Sequence, residues 1–165
     1  DVTDMSHLFN GAFQQQGAFN QDLSGWDTSQ VTSMERMFYQ QPFNANLSSW
    51  NTERVLSFYG MFWNAAKFNG DISSWDVSSA TTLKSLFNRA SSFNADISSW
   101  DVESALDTSY MFYAASSFNI DVSGWNISAS TNFREMFGGA AAFQQDLCPW
   151  GEHIMEDPEQ ADGVF

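Results

Sequence analysis

Aromatic residues return along this chain at an almost fixed interval. The repeat has the consensus form Phe-Asn-x-Asp/Asn-Ile/Leu-Ser-x-Trp-Asp/Asn, and residues 93–102 are a clear copy of it. The repeated tryptophans are Trp26, Trp50, Trp75, Trp100, Trp125 and Trp150, and the opening phenylalanines are Phe19, Phe43, Phe68, Phe93, Phe118 and Phe143. Their spacing of 24 or 25 residues is typical of stacked repeat proteins, in which no unit buries its apolar face alone.

Within one unit, the apolar pattern predicts a strand, a turn and a short helix. Residues 71–77 contain β-branched and aromatic side chains, which favours a strand. After a turn at residues 78–79, apolar residues at 80, 83, 86, 87 and 90 have the spacing of one helix face. We therefore predict an α/β solenoid with short parallel strands on one face and short helices on the other.

The repeat also sets the domain organisation. Residues 1–150 are predicted to form a single solenoid of about five to six coils. The chain enters the repeat partway through, because Met5 and Phe9 align with Met34 and Phe38, and we expect a longer parent protein. The segment 10–18 is four residues longer than its counterparts. Residues 151–165 lack the helical pattern, and we predict an acidic, irregular C-terminal segment there.

The repeat resembles that of a known family. Phe-Asn, Ser-x-Trp and Met-Phe recur together from Val2 to Trp150, as in the bacterial-surface-protein repeat of about 25 residues. That repeat occurs in mycoplasma lipoproteins and in large secreted proteins of protists and algae, and it is grouped with BspA-like leucine-rich repeats. The resemblance implies a right-handed, leucine-rich-repeat-like solenoid on an extracellular or cell-surface protein. It implies adhesion or another protein interaction as the role, with no shared activity or cofactor.

The charge and the motifs exclude several classes of function. The chain has 20 acidic and 6 basic residues, for a net charge of −14, which disfavours nucleic acid and anionic membranes as partners. No apolar run of 18 residues is present, so we predict no membrane span. His7 and His153 lie at opposite ends of the chain, and no G-x-S-x-G, H-E-x-x-H or phosphate-binding glycine motif occurs. We therefore predict that the protein is not an enzyme.

Two columns of acidic residues flank the predicted strands. They include Asp71, Asp76, Asp96, Asp101 and Asp121, and asparagine fills several equivalent positions. Strands lie ~4.8 Å apart in a sheet, so stacked carboxylates would be close enough to share calcium, which takes several oxygen ligands. Alternatively, each side chain accepts a backbone N–H and shapes its turn. Asparagine serves a turn but not a charged site, so we favour the turn role, predict no cofactor and keep calcium as the alternative.

Two further columns carry amides and hydroxyls. Asparagines at 20, 44, 69, 94 and 119 are predicted to be buried and to hydrogen-bond from one coil to the next. Serines at 24, 48, 73, 98 and 123 either bond to neighbouring backbone or form an ordered surface for ice, mineral or polysaccharide. Cys148 ends this column. As a single cysteine it excludes an internal disulfide, and it is either a buried or idle thiol or one paired beyond this chain.

The remaining candidates are contact residues. Tyr39, Trp63 and Tyr113 share the position after the helix phenylalanine, where aromatics either anchor interfaces or pack at an edge. Asn46 and Asn126 begin glycosylation sequons.

We predict a non-enzymatic extracellular or cell-surface module for adhesion or for protein or glycan binding, with end-to-end self-association as a further interaction. The alternative is a calcium- or surface-binding solenoid. We expect function where units differ: segment 10–18, Trp63 and the acidic end.

Overall fold

The repeat units are stacked in chain order. The computed structural model describes residues 2–11 and 19–151, so most of the predicted insertion and of the acidic C-terminal segment lie outside the described residues. Isolated parallel β-bridges join one unit to the next, through Asp4, Ser33, Ser57, Thr82, Asp107 and Asn132 in turn. The repeat organisation inferred from the period is therefore confirmed.

The predicted α/β solenoid, with leucine-rich-repeat-like strands and helices, is wrong. Within residues 2–11 and 19–151, regular structure is limited to one 3-10 helix, Cys148–Trp150, the helical Gly151 that follows it, and the isolated bridges. The predicted strand at 71–77 instead contains a turn, closed by the Trp75 N–H donating to the Ile72 carbonyl at 3.1 Å. A second turn follows, because the Ala80 N–H donates to the Val77 carbonyl at 2.9 Å.

Consecutive turns take the place of the predicted helices. We call residues 34–41, 58–65, 83–90, 108–115 and 133–140 the turn segments. In each, alternate N–H groups donate to the carbonyl three residues earlier, as Met37 does to Met34 at 3.3 Å. In the first four segments the N–H groups between them donate to the next unit, as Arg36 does to the Tyr59 carbonyl at 2.8 Å. Backbone groups are thus paired without the i to i−4 bonds of an α-helix.

Positive φ angles in every turn segment are incompatible with a helix. The third and seventh residues of each segment have φ between 49° and 70°, which is the left-handed region and the conformation that a type II turn requires at its third position. Gly60 and Gly139 fill two of these places without strain. Arg36, Ser85 and Tyr110 adopt the same conformation despite their side chains.

The buried positions of these turns repeat with helical spacing, which explains the wrong prediction. In the segment 83–90, Leu83, Leu86, Phe87 and Ala90 are fully buried. These are the first, fourth, fifth and eighth residues, the same i, i+3, i+4, i+7 pattern that an amphipathic helix shows. The pattern therefore identified the inward side chains correctly and the backbone incorrectly.

Stacked aromatic rings form the core. The opening phenylalanines stack along the chain at 5.8–6.4 Å between ring centroids, and those of the turn segments at 5.5–5.8 Å. The two columns touch at 3.7–4.1 Å. The indole Nε1–H groups of Trp50, Trp75, Trp100 and Trp125 also donate to a carbonyl of the preceding unit at 3.0–3.2 Å. The core thus carries both apolar burial and oriented hydrogen bonds.

An asparagine ladder also ties the units together. The Asn69 Oδ1 accepts the N–H of Asn94 at 2.8 Å, and the Asn94 Oδ1 accepts that of Asn119 at the same distance. The predicted link between coils is confirmed, whereas the predicted burial is wrong because Asn69 and Asn94 are exposed. In the part of the chain that the structure describes, no helix has the length and hydrophobicity needed to cross a membrane.

Candidate functional site

The acidic columns shape turns. The Oδ1 atoms of Asp71 and Asp96 each accept the backbone N–H two residues later at 3.0 Å, and Asp101 accepts that of Glu103 at 3.1 Å. The same bond is made by Asp76, Asp121, Asn46 and Asn126. Aspartate and asparagine are therefore equivalent here, and the predicted turn role is confirmed.

These hydrogen bonds also set the acidity of the carboxyl groups. The backbone and hydroxyl hydrogen bonds from Ser73 lower the pKa of Asp71 below its usual 3.8. Those from Ser98 lower the pKa of Asp96 in the same way, against desolvation and the nearby Asp71 carboxylate. A carboxylate that accepts hydrogen bonds is favoured in its charged form.

The described residues do not assemble a metal cluster. Among them, no three histidine, cysteine, aspartate or glutamate side chains are grouped to hold an ion. His7 instead lies 2.9 Å from Asn10, measured from the Nδ1 to the Asn10 Nδ2. His153 lies outside the described residues.

The structure shows where the Cys148 thiol and the two sequon asparagines lie, but it does not test the roles predicted for them. Cys148 is exposed with a free thiol, so the buried thiol is wrong, while an idle thiol and pairing beyond this chain both remain predictions. The neighbouring Asp146 raises the pKa of that thiol by a hydrogen bond and by its charge. Asn46 and Asn126 are exposed, and their glycosylation stays a prediction.

One part of the surface differs in residue type from unit to unit. It consists of the second, third, sixth and seventh residues of the turn segments, which we call the variable face. Its residues differ from unit to unit, in contrast to the methionine, phenylalanine and alanine of the buried positions. Four of the 6 basic residues of the chain lie on it: Arg36, Lys84, Arg89 and Arg134. Glu35 and Glu135 also lie on it, so the variable face has a formal net charge of +2, four basic minus two acidic residues, on a strongly acidic protein.

Arg36 organises one end of the variable face. Its Nη2 donates to the Tyr59 hydroxyl at 2.6 Å. Its guanidinium carbon lies 4.7 Å from the centre of the Tyr59 ring, 5.5 Å from that of Trp63 and 5.8 Å from that of Tyr39. Tyr39 in turn meets Trp63 edge to face at 5.3 Å. Cation–π and aromatic contacts therefore hold Trp63 in place.

A groove opens next to this cluster. Its volume is ≈ 330 Å³. Its aromatic lining comprises Tyr59, Trp63, Tyr110 and Tyr113, and its polar lining comprises Lys84, Ser85, Asn88 and Arg89. At the sixth position of the turn segments, Asn88 stands between Trp63 and Tyr113 in the order of units. A small side chain between two large ones leaves the space that forms the groove.

Some polar groups of the groove have a hydrogen-bond or ion-pair partner and others have none among the described residues. Asn88 is 6% exposed, and its Oδ1 is buried without a hydrogen-bond partner among the described residues. The Lys84 Nζ lies 3.4 Å from the Asp107 Oδ2. Arg89 is exposed, and its guanidinium forms no ion pair within the described ranges. The groove thus has one unpaired acceptor just beneath its surface and one exposed cation without an ion-pair partner among the described residues.

Tyr113 is positioned by the next unit. A Cβ on Gly138 would lie 3.0 Å from the Tyr113 ring, so the absence of a side chain there makes room for the ring. Tyr110 meets Tyr113 edge to face at 5.9 Å. The far wall of the groove is therefore packed as well as the near one.

The predicted contact residues are only partly brought together. Trp63 and Tyr113 line the groove, whereas Tyr39 packs against Trp63 and is not part of the lining. Tyr59, Asn88 and Arg89 were not predicted as contact residues, because each occupies an ordinary outward position of the supposed helices. The available signal was the gathering of basic residues at the positions that vary between units.

The comparisons with known proteins concern the repeat and not the groove. A family model described as "Mycoplasma protein of unknown function, DUF285" matches residues 1–83 and again residues 40–150. Comparison with curated proteins found no match, and comparison with solved structures found none either. The two family matches together extend from residue 1 to residue 150, which is well over half of the chain. The protein therefore belongs to the DUF285 family.

Proposed function

We propose that this chain is a non-enzymatic interaction module of an extracellular or cell-surface protein, and that it binds a protein or glycan partner through the variable face. The observation that carries the proposal is that the units differ from one another on the variable face. Core, turn and ladder positions recur in each unit, whereas the variable face gathers aromatic and basic side chains around one groove. Tryptophan, tyrosine and arginine are the residues that dominate binding energy at interfaces.

The surroundings of the groove support a binding role in preference to a packing role. Trp63 and Tyr113 are half-buried and are held by Arg36 and by the space above Gly138. Pre-organised aromatic side chains lose little conformational entropy when they meet a partner. The resemblance to the BspA-like bacterial-surface-protein repeat supports the extracellular location and adhesion. End-to-end association of copies is a separate proposal, which the molecular mass in solution would check.

Surface plasmon resonance would test the proposal. The purified chain would be passed over immobilised extracellular-matrix proteins and glycans, beside a Trp63→Ala/Tyr113→Ala variant. The matched control is Leu56→Ala/Leu106→Ala, which removes two side chains that are 48% and 50% exposed away from the groove.

We expect at least one surface to retain the wild-type chain, and the groove variant to bind at least about tenfold more weakly, as hot-spot truncations do. The control should bind like the wild type. The proposal is rejected if no surface retains the chain, or if the groove variant is retained as well as the control.

A further inference from the structure

The geometry points to the groove between Trp63 and Tyr113 as a binding site for an acidic saccharide, a sugar ring that carries a carboxylate. This inference rests on the proposed function and narrows its partner to one class of glycan. It follows from three independent properties of the groove: its shape, its buried acceptor and its charge.

The shape suits a small amphipathic ring. A volume of ≈ 330 Å³ lies within the range of small-molecule sites, which are mostly apolar with a few placed polar groups. The aromatic lining is supplied by two units, with Trp63 on one side and Tyr113 on the other, and the unit between them supplies the polar lining. A pyranose ring presents C–H groups on its faces and hydroxyls at its edge. It can therefore cover an aromatic side chain while its edge reaches polar atoms.

The buried acceptor calls for a donor on the ligand. Asn88 lines the groove, and its Oδ1 is buried without a hydrogen-bond partner among the residues described; an acceptor left in that state is costly. Asn88 is 6% exposed and borders the groove, so a rotation of its amide would present the oxygen to a donor on a bound ligand. A sugar hydroxyl supplies an O–H of the right size, whereas a purely apolar occupant would leave the oxygen unpaired.

The charge of the groove selects an anion. Arg89 has no acidic partner in the described ranges, while Lys84 is shared with Asp107. A guanidinium binds a carboxylate through two parallel hydrogen bonds. Lys84 and Arg89 would repel a basic ligand from the groove, although the net charge of −14 on the whole chain attracts basic molecules in general. The same net charge repels long polyanions, which leaves a short saccharide with a single carboxylate as the best match.

A matched pair of sugars tests the inference. Methyl β-D-glucuronoside and methyl β-D-glucoside differ in a carboxylate against a hydroxymethyl group. Each would be titrated into the 15N-labelled full chain, and the Trp63 indole N–H signal followed by NMR. Trp63→Phe would assign that signal. We expect saturable shifts and a dissociation constant at least about tenfold lower for the glucuronoside, since a tenfold ratio is a modest demand on one charged pair.

Variants separate the contributions. Arg89→Gln should abolish the preference for the glucuronoside, and Asn88→Leu should weaken both sugars. Arg54→Gln is the matched charge control, because Arg54 is exposed and its Nη1 donates to the Gln30 side chain, outside the groove lining. It should leave both titrations unchanged. Unshifted indole signals of the five buried tryptophans, Trp50, Trp75, Trp100, Trp125 and Trp150, would show that each variant is folded.

Several outcomes would overturn the inference. These are equal affinity for the two sugars, no shift of the Trp63 signal with either, or binding that Arg89→Gln and Arg54→Gln alter alike. Suppose that surface plasmon resonance still showed weaker binding of the Trp63→Ala/Tyr113→Ala variant than of the wild type. The proposed function would then stand, and only the acidic saccharide would be wrong. If nothing were retained there, the proposed function would fail first.

Discussion

A single side-chain oxygen, placed two residues before the amide it accepts, sets much of the local structure of this chain. The Asp71 Oδ1 accepts the N–H of Ser73, and Asn46 does the same for Ser48. Because these bonds are made within three residues, the turn does not need a strand or helix around it. The alternation of aspartate with asparagine made this role predictable from the sequence. The exposure of the ladder asparagines was not predictable, because amide spacing does not report solvent contact.

The carboxylates of these turns should make stability depend on pH. Hydrogen bonds from the serines at 73, 98 and 123 lower the folded pKa of Asp71, Asp96 and Asp121 below 3.8. A depressed folded pKa stabilises the fold above the unfolded pKa, and this contribution is lost as the pH falls through the folded value. The triple variant Asp71→Asn/Asp96→Asn/Asp121→Asn keeps the acceptors and removes the titration. We expect the stability advantage of the wild type over this variant to shrink as the pH falls below about 4.

Urea unfolding followed by tryptophan fluorescence at a series of pH values would measure this difference. The reciprocal variant Asn46→Asp should gain a pH dependence of the same sign. A difference between wild type and triple variant that stays constant across the acid range would contradict the prediction.

At the scale of the element, the turn segment shows what a hydrophobic period can and cannot establish. The sequence correctly placed Leu83, Leu86 and Phe87 in the core. It did not reveal the backbone, because consecutive turns and an α-helix bury side chains at the same spacing. Glycine or asparagine would have signalled positive φ, yet Arg36, Ser85 and Tyr110 fill these positions. Inter-unit hydrogen bonds impose the conformation against local preference.

The groove could be predicted only in part, for a related reason. Trp63 and Tyr113 stood out because they share with Tyr39 an outward repeat position, and aromatic side chains with a polar edge often anchor interfaces. Lys84, Asn88 and Arg89 did not stand out, because each is an ordinary surface residue when one unit is considered alone. The groove exists because outward positions of three successive units converge. Their convergence depends on turn geometry, which the periodicity does not contain.

Replacing Ala114 by glycine distinguishes the turn segment from a helix by the sign of its effect. Ala114 has a φ of 52°, which an L-residue adopts at a cost of roughly 1–2 kcal/mol. Ala114→Gly should therefore raise the free energy of unfolding by about 0.5–1 kcal/mol, since relief of strain exceeds the added chain entropy. In a helix the same change would lower it by about 1 kcal/mol.

Ala115→Gly is the matched control for this experiment. Ala115 is fully buried and is not among the residues with positive φ, so glycine there loses packing and gains no relief. We expect a destabilisation of about 1 kcal/mol. Urea unfolding of both variants would measure the pair. Destabilisation by both substitutions would mean that residue 114 does not need the left-handed conformation.

At the scale of the whole molecule, the net charge of −14 opposes compaction, and ions should relieve it by screening. Because the turn aspartates already accept backbone N–H groups and no acidic trio is grouped among the described residues, we expect no specific effect of calcium. Calcium chloride should raise the melting temperature no more than sodium chloride at equal ionic strength. A larger rise with millimolar calcium, reversed by a chelator, would support the calcium-binding alternative instead.

Deletion of one whole period tests whether the stack is modular. Removing residues 119–143, a stretch of 25 residues, joins Phe118 to Gln144. The Gln144 N–H would then meet the Asn94 Oδ1, as the Asn119 N–H does now at 2.8 Å. In a stacked repeat protein each unit contacts only its neighbours, so stability is approximately a sum over units and interfaces. We expect the deletion variant to fold cooperatively, with a lower free energy of unfolding and a urea m-value reduced roughly in proportion to the lost surface.

The 25-residue deletion keeps the remaining units in register with one another, and a control deletion should destroy that register. Removing residues 119–138 instead deletes 20 residues and joins Phe118 to Gly139, so Phe143 and Trp150 no longer fall at their places in the aromatic columns. These rings now stack on Phe118 and Trp125 at 5.8 and 6.5 Å. The out-of-register variant should lose more stability than the in-register one although it removes fewer residues, because fixed spacing is what brings ring onto ring and amide onto amide. Equal stability of the two deletions would show that the C-terminal unit contributes little to the stack.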